Sequence, residues 1–361
     1  MASGEASLAP EIAPEALAAV VSCYPALGGF TAIRRNGLSA NTAACCFETT
    51  RGAFFAKRYD PAKRDLEGLR AEHAIVTALL AHDYPTPRLY PNRDGETLTW
   101  VDGAPYALYD LARGEDRYRE VGVFAPFRNS NEAASAGVWL ARFHLALRDF
   151  PLPPPKPFLG ITARYQWLLA SSSAQGFVDL LREAPGLSPF LEAQPEFGTL
   201  QGYMDARHAR LAPVSGALRR GIIHGDFIKR NLFFEGDAVS AVLDFDLWNV
   251  GPWVYDLALA LLPCGFDWAA IARGAAPRFA DIRAFLAGYQ SVLPLSKAEA
   301  AALPTVMETA RVEVYLSLVA MALQQQDAQK AMLFWGFIVT LMRWFDANAD
   351  WSVNLVESPR P

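Results

Sequence analysis

The sequence predicts an α+β chain of two lobes: a small N-terminal lobe of β-sheet plus helix over residues 1–105, and a larger, mainly helical lobe over 106–361. Three observations predict it. The first hundred residues read strand, strand, helix, strand, strand. After Tyr106 the apolar spacing turns helical. A compact β segment, Gly221 to Leu247, then interrupts the helices. At 361 residues the chain is long enough for two lobes with a sizeable core, and 52% of its residues are apolar.

Pro14 to Tyr24 has the spacing of a short helix. Thr42 to Glu48 and Ala53 to Tyr59 are strands joined by Thr50-Arg51-Gly52, a hairpin signal. Leu66, Leu69, Ile75, Val76, Leu79 and Leu80 recur at helical spacing, so Asp65 to His82 is an amphipathic helix, ended by Pro85 and Pro87. Leu89 to Tyr90 and Thr97 to Val101 are further strands around the turn Asn92-Arg93-Asp94-Gly95. Glu132 to Leu147, Arg164 to Ala170, Phe177 to Glu183 and Phe197 to Arg210 are helical. Pro151 to Phe158 is a loop, and helices resume after the β segment to about Asp346. The boundary near Pro105 is the lobe division.

Composition removes several function classes. The formal net charge is -5, with no block of like charge, which argues against a general nucleic-acid binder. Cys23, Cys45, Cys46 and Cys264 form no C-x-x-C pair and no zinc spacing, so they read as reduced cytosolic thiols. Met1 to Pro14 has no basic and then apolar leader. The most apolar run, Ala331 to Met342, is too short to span a bilayer and reads as a buried helix. A cytoplasmic protein without a membrane partner follows. The oligomeric state stays open.

The chemistry is concentrated in Gly221 to Asp246, GIIHGDFIKRNLFFEGDAVSAVLDFD. Ile222-Ile223 is a strand running into His224-Gly225-Asp226. Leu232 to Phe234 and Val239 to Leu243 are strands around a turn at Glu235-Gly236-Asp237. Asp226 and Asn231 thus end one short loop, and a hairpin returns Asp244 alongside, at one end of a small sheet. Two carboxylates and an amide oxygen are hard ligands of the kind Mg²⁺ takes. The spacing H-x-D-x-x-x-x-N, then an Asp after an apolar strand, is that of the protein-kinase catalytic loop and its metal-binding Asp. Each residue alone is also compatible with a turn or a strand-end cap. His224 reads as a structural hydrogen-bonding group.

The N-terminal half supplies matching parts. Lys57 ends an apolar strand, and a lysine so placed, paired to Glu72 (or Glu67) on the next helix, would set a cation on nucleotide phosphates. The phosphate-covering loop falls at Arg35 to Asn41, including Ser39, with one glycine and no G-x-G-x-x-G. The lobe junction Tyr106 to Tyr109, with Ala107 and Tyr109, is where adenine would meet backbone donors and acceptors.

These residues resemble the aminoglycoside phosphotransferase and choline kinase superfamily, whose fold is similar to that of protein kinases. The group within it that the chain most resembles is the homoserine kinases built on that fold. The stretch Gly221 to Leu262 carries the resemblance, with weaker similarity from Gly37 to Pro151 through Glu72, Pro85-x-Pro87 and Ala141-Arg142-Phe143-His144-Leu145. It implies a bilobal protein-kinase-like fold and an ATP- and Mg²⁺-dependent kinase acting on the hydroxyl of a small metabolite. Asp226 would be the catalytic base, Asn231 and Asp244 the metal ligands, and Lys57 the phosphate cation. Asp256, in Asp256-Leu257-Ala258, would cap the following helix and brace the catalytic loop. The chain departs from the group at Gly225, where alanine is usual, at Asp246-Leu247-Trp248-Asn249 after the metal Asp, and in its length. Asp246 and Trp248 are therefore the candidate acceptor contacts, with Asp246 either paired to an ammonium group on the acceptor or simply solvated. Homoserine, an amino sugar or aminoglycoside, and a choline-like amino alcohol are the open acceptors. A catalytically dead nucleotide-binding fold and a metal-dependent hydrolase are the rival classes.

Overall fold

The computed structural model describes residues 11–38, 42–62, 64–122, 124–153, 172–184 and 186–355. The chain divides into two compact units. One comprises 1–114 with 240–243; the other comprises 115–239 with 244–361.

In the first unit, α1 (Pro14–Ser22) precedes β1 (Phe30–Leu38), β2 (Thr42–Thr49) and β3 (Gly52–Tyr59). There follow α2 (Leu66–Ala81), β4 (Thr99–Val101) and β5 (Ala104–Asp110). The strands form one antiparallel sheet in the order β1-β2-β3-β5-β4. β2 and β3 meet in the expected tight hairpin, with Thr49 opposite Gly52. The expected helix over Asp65 to His82 is α2 with its caps: the Asp65 carboxylate accepts from the N–H groups of Glu67 and Gly68, at 3.3 and 2.8 Å.

The N-terminal helix has a packing role. Leu17, Val20, Val21 and Tyr24 lie on one sheet face against Cys45, Phe47, Phe54, Ala56 and Leu108. Cys45 is buried there, while its neighbour Cys46 turns to the other face and is half-buried; neither is in a disulfide. α2 is tied to the opposite face through His73. Its Nδ1 lies 2.7 Å from Thr97 Oγ1 and its Nε2 lies 3.2 Å from Tyr109 OH.

Three sequence expectations change in this unit. β1 is a strand that the sequence pattern missed. Its register slips between Phe30 and Ala32 and again between Ile33 and Arg35, which breaks the period of two. Arg35 to Leu38 of the expected phosphate loop belong to it, while Ser39 to Asn41 lie outside the described residues. Leu89 makes only an isolated bridge to Tyr109, and the Thr97 strand begins at Thr99. Finally, Pro105 falls inside β5, which belongs whole to the first unit. Residues 240–243 join this unit because Val242 N–H donates to Pro85 O at 2.6 Å and Ser240 Oγ to Arg113 O at 2.8 Å.

The second unit contains α3 (Ser130–Ala146), α4 (Ser173–Glu183), α5 (Leu187–Glu192) and α6 (Phe197–Ser215). The strands β6 (Arg220–Ile223), β7 (Leu232–Glu235) and β9 (Asn249–Pro252) come next, with β8 (Ala238–Val242) beginning in this unit and ending in residues 240–243 of the first. The chain continues with α7 (Trp253–Gly265), α8 (Trp268–Ile271), α9 (Phe279–Val292), α10 (Lys297–Gln324) and α11 (Ala328–Ala347). The expected helix at Arg164 to Ala170 lies outside the described residues.

The single small sheet expected over Gly221 to Leu247 is two separate ladders. β7 pairs with β8, while β6 pairs with β9, a strand the apolar pattern did not reveal. Every residue of α7 is buried, so the second unit is built around it. α3 and α9 cross at backbone contact. A methyl group on Gly137 would lie 1.9 Å from Phe285 O, and one on Gly288 would lie 2.0 Å from Ala134 O. α11 contains the run Ala331 to Met342, expected as a buried helix, and is two-faced there: Ile338, Leu341 and Met342 are buried, whereas Met332 and Leu333 are exposed. Among the described residues, no helix is long and apolar enough to cross a membrane.

Candidate active site

β6 is a short strand that runs into His224-Gly225-Asp226, of which His224 and Gly225 are buried and Asp226 is half-buried. The loop that follows is internally bonded. Asn231 Nδ2 donates to the Asp226 carbonyl at 2.9 Å and to its carboxylate Oδ2 at 3.1 Å. Asn231 N–H donates to Ile228 O at 2.9 Å, closing a 3-10 turn over Lys229–Asn231. The Asn231 amide nitrogen is thereby spent on Asp226, which turns its oxygen away from that carboxylate. His224 is fully buried, and its Nδ1 receives the Asp226 N–H at 3.3 Å, the structural role the sequence assigned to it.

Beneath the loop lies Asp256, completely buried in the first turn of α7. Its carboxylate accepts the backbone N–H groups of His224 and Gly225, at 2.8 and 3.0 Å. His144 Nε2 approaches it at 3.1 Å. Burial opposes its charge, but these bonds and the neighbouring imidazoles hold its pKa below the usual carboxylate value. The brace expected of Asp256 is therefore present. The cap is not, because the carboxylate serves the loop rather than its own helix. His144 was visible in sequence only as part of Ala141 to Leu145, with no role attached. Lys229, in the middle of the loop, points inward: Nζ donates to Pro263 O at 3.1 Å, and burial pulls its pKa down.

The segment after β8 closes over this loop. Asp244 has φ 63° and ψ 68°, a left-handed conformation uncommon outside glycine. Its side chain does not cap the following 3-10 turn, Phe245–Leu247. That turn sits on the catalytic loop: the Phe245 ring centroid is 4.9 Å from that of His224. Gly225, at φ +77°, comes so close that a methyl group there would lie 2.2 Å from Leu247 O. The glycine that departs from the homoserine kinase pattern is thus required by this close approach and by its backbone angle. Asp246 is half-buried on the same turn. Trp248 is only 1% exposed, so its ring belongs to the core rather than to a ligand-facing wall.

In the first unit, Lys57 lies directly opposite Ala107 in the β3–β5 ladder. Glu72, on α2, is 2% exposed and receives Arg64 at 2.7 Å, a cation the sequence did not single out. Arg64 also lies over the Tyr59 ring, 5.7 Å from its centroid. The placing of adenine on the backbone of Tyr106 to Tyr109 needs correction. Those residues are inside β5, paired with β3 on one side and with β4 or Leu89 on the other. Leu108 O already accepts from Tyr90 N–H at 3.0 Å. Ala107 is fully buried, and the Tyr109 hydroxyl lies 3.2 Å from both Tyr59 OH and His73 Nε2. Backbone outside the ladder begins at Leu111.

Among the described residues, no three His, Cys, Asp or Glu side chains gather as a metal cluster. A magnesium site needs fewer. One or two carboxylates suffice beside phosphate and water, and an amide oxygen such as that of Asn231 and a carboxylate such as that of Asp244 have the hard-oxygen chemistry such a site would use.

Comparison with known proteins decides the family. Residues 33–295 match the phosphotransferase enzyme family, APH. The chain belongs to that family. It is an enzyme, a small-molecule kinase that phosphorylates a hydroxyl group. A homoserine kinase of Acidiphilium cryptum is 30% identical over 315 residues, covering 85% of this chain and 86% of that one. The homoserine kinase of Bradyrhizobium diazoefficiens is 28% identical over 309 residues, covering 85% and 84%. Among solved structures, a microcompartment-associated aminopropanol kinase matches with TM-score 0.60 at 17% identity, covering 94% of this chain and 98% of its own. The amicoumacin kinase hAmiN, in complex with AMP-PNP, Ca²⁺ and Ami, matches with TM-score 0.58 at 15% identity, covering 91% and 92%. These likenesses establish the bilobal kinase-like fold expected from sequence.

Proposed function

We propose that this phosphotransferase is a cytoplasmic, ATP- and Mg²⁺-dependent kinase whose acceptor is homoserine. The bonded unit of Asp226, Asn231 and the Asp256-braced loop carries the reading. It fixes the Asp226 carboxylate on a braced loop just beyond a strand end, which supports reading it as the group that takes the acceptor's proton.

Asp226 orients the acceptor hydroxyl and takes its proton as the hydroxyl oxygen bonds to the γ-phosphorus and the bond to the bridging oxygen breaks. The products are a phosphate monoester and ADP. Asn231 and Asp244 would hold the magnesium ion, which when bound supplies charge neutralisation on the phosphates. Lys57, positioned through Glu72, would add a fixed cation to them, with Ser39 in the covering loop. Adenine would meet the backbone just after β5, from Leu111 onward. Asp246, beside the metal residue, suits the acceptor's ammonium group. Catalysis is then mostly positioning and electrostatics.

Homoserine is favoured over other amino alcohols because two curated homoserine kinases align along about 85% of both chains. The test is ADP release from ATP with magnesium and a panel of L-homoserine, choline, ethanolamine and an aminoglycoside. We expect kcat/KM for L-homoserine to exceed the others by about 100-fold, since a site built for a polar group rejects ligands lacking it. A choline-like compound or an aminoglycoside performing as well as homoserine would overturn the acceptor assignment while leaving the kinase intact.

A further inference from the structure

A chain of side chains reaches the catalytic loop from α9. The Tyr289 hydroxyl lies 2.9 Å from His144 Nδ1, and His144 Nε2 lies 3.1 Å from Asp256 Oδ2. Asp256 holds the His224 and Gly225 amides at 2.8 and 3.0 Å. Tyr289 is 1% exposed, and His144 and Asp256 are 0% exposed, so these groups satisfy one another without bulk water.

The chain has one polarity. An ionised carboxylate only accepts, so the proton between Asp256 and the imidazole sits on Nε2. In the neutral imidazole Nδ1 is then a lone pair, and the Tyr289 phenol, whose pKa burial pushes up, keeps its proton and can donate it there. Packing delivers the phenol to this spot. Gly137, Ala141 and His144 follow one face of α3, and Gly288 brings the neighbouring Tyr289 to it, because both glycines let the two backbones touch. Trp253 stacks on the imidazole at 5.2 Å and 6°, fixing the plane of the ring.

We propose that Tyr289 is a positioning residue for phosphoryl transfer: it locks His144 in the Nε2–H tautomer and, through Asp256, holds the two loop amides that set the place of Asp226. This rests on the reading of Asp226 as the group that takes the acceptor's proton. The phenol acts on the loop through His144, to which it is bonded.

Tyr289→Phe keeps the ring and removes only the donor. In the full-length enzyme, three quantities are read: the ring nitrogen resonances of His144, the exchange rates of the His224 and Gly225 amides, and kcat with KM for ATP. The single Nε2–H tautomer pattern is expected to be lost, and both amides to exchange about tenfold faster. kcat is expected to fall about tenfold, with KM for ATP held within about twofold. The control is Tyr315→Phe, a buried tyrosine of the same unit whose hydroxyl has no hydrogen-bond partner among the described residues; all three readings should stay unchanged. Unaltered His144 resonances and amides in Tyr289→Phe would overturn the proposal whatever the activity. Altered amides with unchanged kcat, or an equal kcat loss in Tyr315→Phe, would overturn the link to catalysis. If the wild-type enzyme phosphorylates no alcohol, the reading of Asp226 fails, and the ring and amide measurements still judge the hold of Tyr289 on the loop.

Discussion

Asp226→Asn is expected to lower turnover by about 10³-fold or more while nucleotide affinity stays within about threefold. The substitution isolates one property. An amide oxygen at 226 can still accept from Asn231 Nδ2, which donates to both the carbonyl and the carboxylate of Asp226. The backbone of the loop is held independently, by Asp256. What disappears is the capacity to take a proton. Steady-state kinetics and calorimetric titration with an ATP analogue, performed on the same preparation, separate the two effects. Turnover near the wild-type rate would remove Asp226 from the chemistry, and a parallel loss of nucleotide binding would mean that the loop had rearranged.

Asp256→Ala is expected to be the most damaging single change to stability, by about 3 kcal/mol or more. It strands three buried donors at once: the amides of His224 and Gly225 and the His144 Nε2–H. Urea unfolding of wild type and variant measures the difference. The pH dependence follows from the sign of the shift. Asp256 has its pKa lowered in the folded protein, so its contribution is fully present above the unfolded carboxyl pKa and is lost as pH falls through the folded value. The gap between wild type and Asp256→Ala should therefore be constant near neutrality and narrow only below about pH 4. A gap that narrowed on raising the pH would contradict this account of the brace.

Much of this was legible in sequence, for physical reasons that vary by element. Asp65 and a regular apolar stripe marked α2 to the residue, because an N-cap and a 3.6-residue period are local signals. His224, Asp226, Asn231 and Asp244 stood out because polar residues at fixed spacing between apolar strands are hard to explain otherwise. β1 was not legible, since its two register slips erase the alternation on which strand recognition depends. β9 was hidden for a different reason: all four of its residues are buried, so it lacks any polar alternation. The misplaced adenine segment shows the limit of reading texture. Tyr106 to Tyr109 mark a change in composition, but hydrogen-bond pairing decides which backbone is open, and pairing is not written locally. His144 and Tyr289 lie 145 residues apart, and only the glycine-mediated crossing of α3 and α9 brings them together. The exposure of Trp248 depends likewise on packing around it, which no local pattern encodes.

Every residue role given above serves the transfer of the γ-phosphoryl of ATP to an alcohol. Phosphorus NMR of the wild-type enzyme with ATP, magnesium and L-homoserine tests it most directly. A new phosphate monoester resonance is expected, growing in step with ADP and requiring acceptor and metal together. Release of inorganic phosphate alone, or ester formation without ATP, would contradict it.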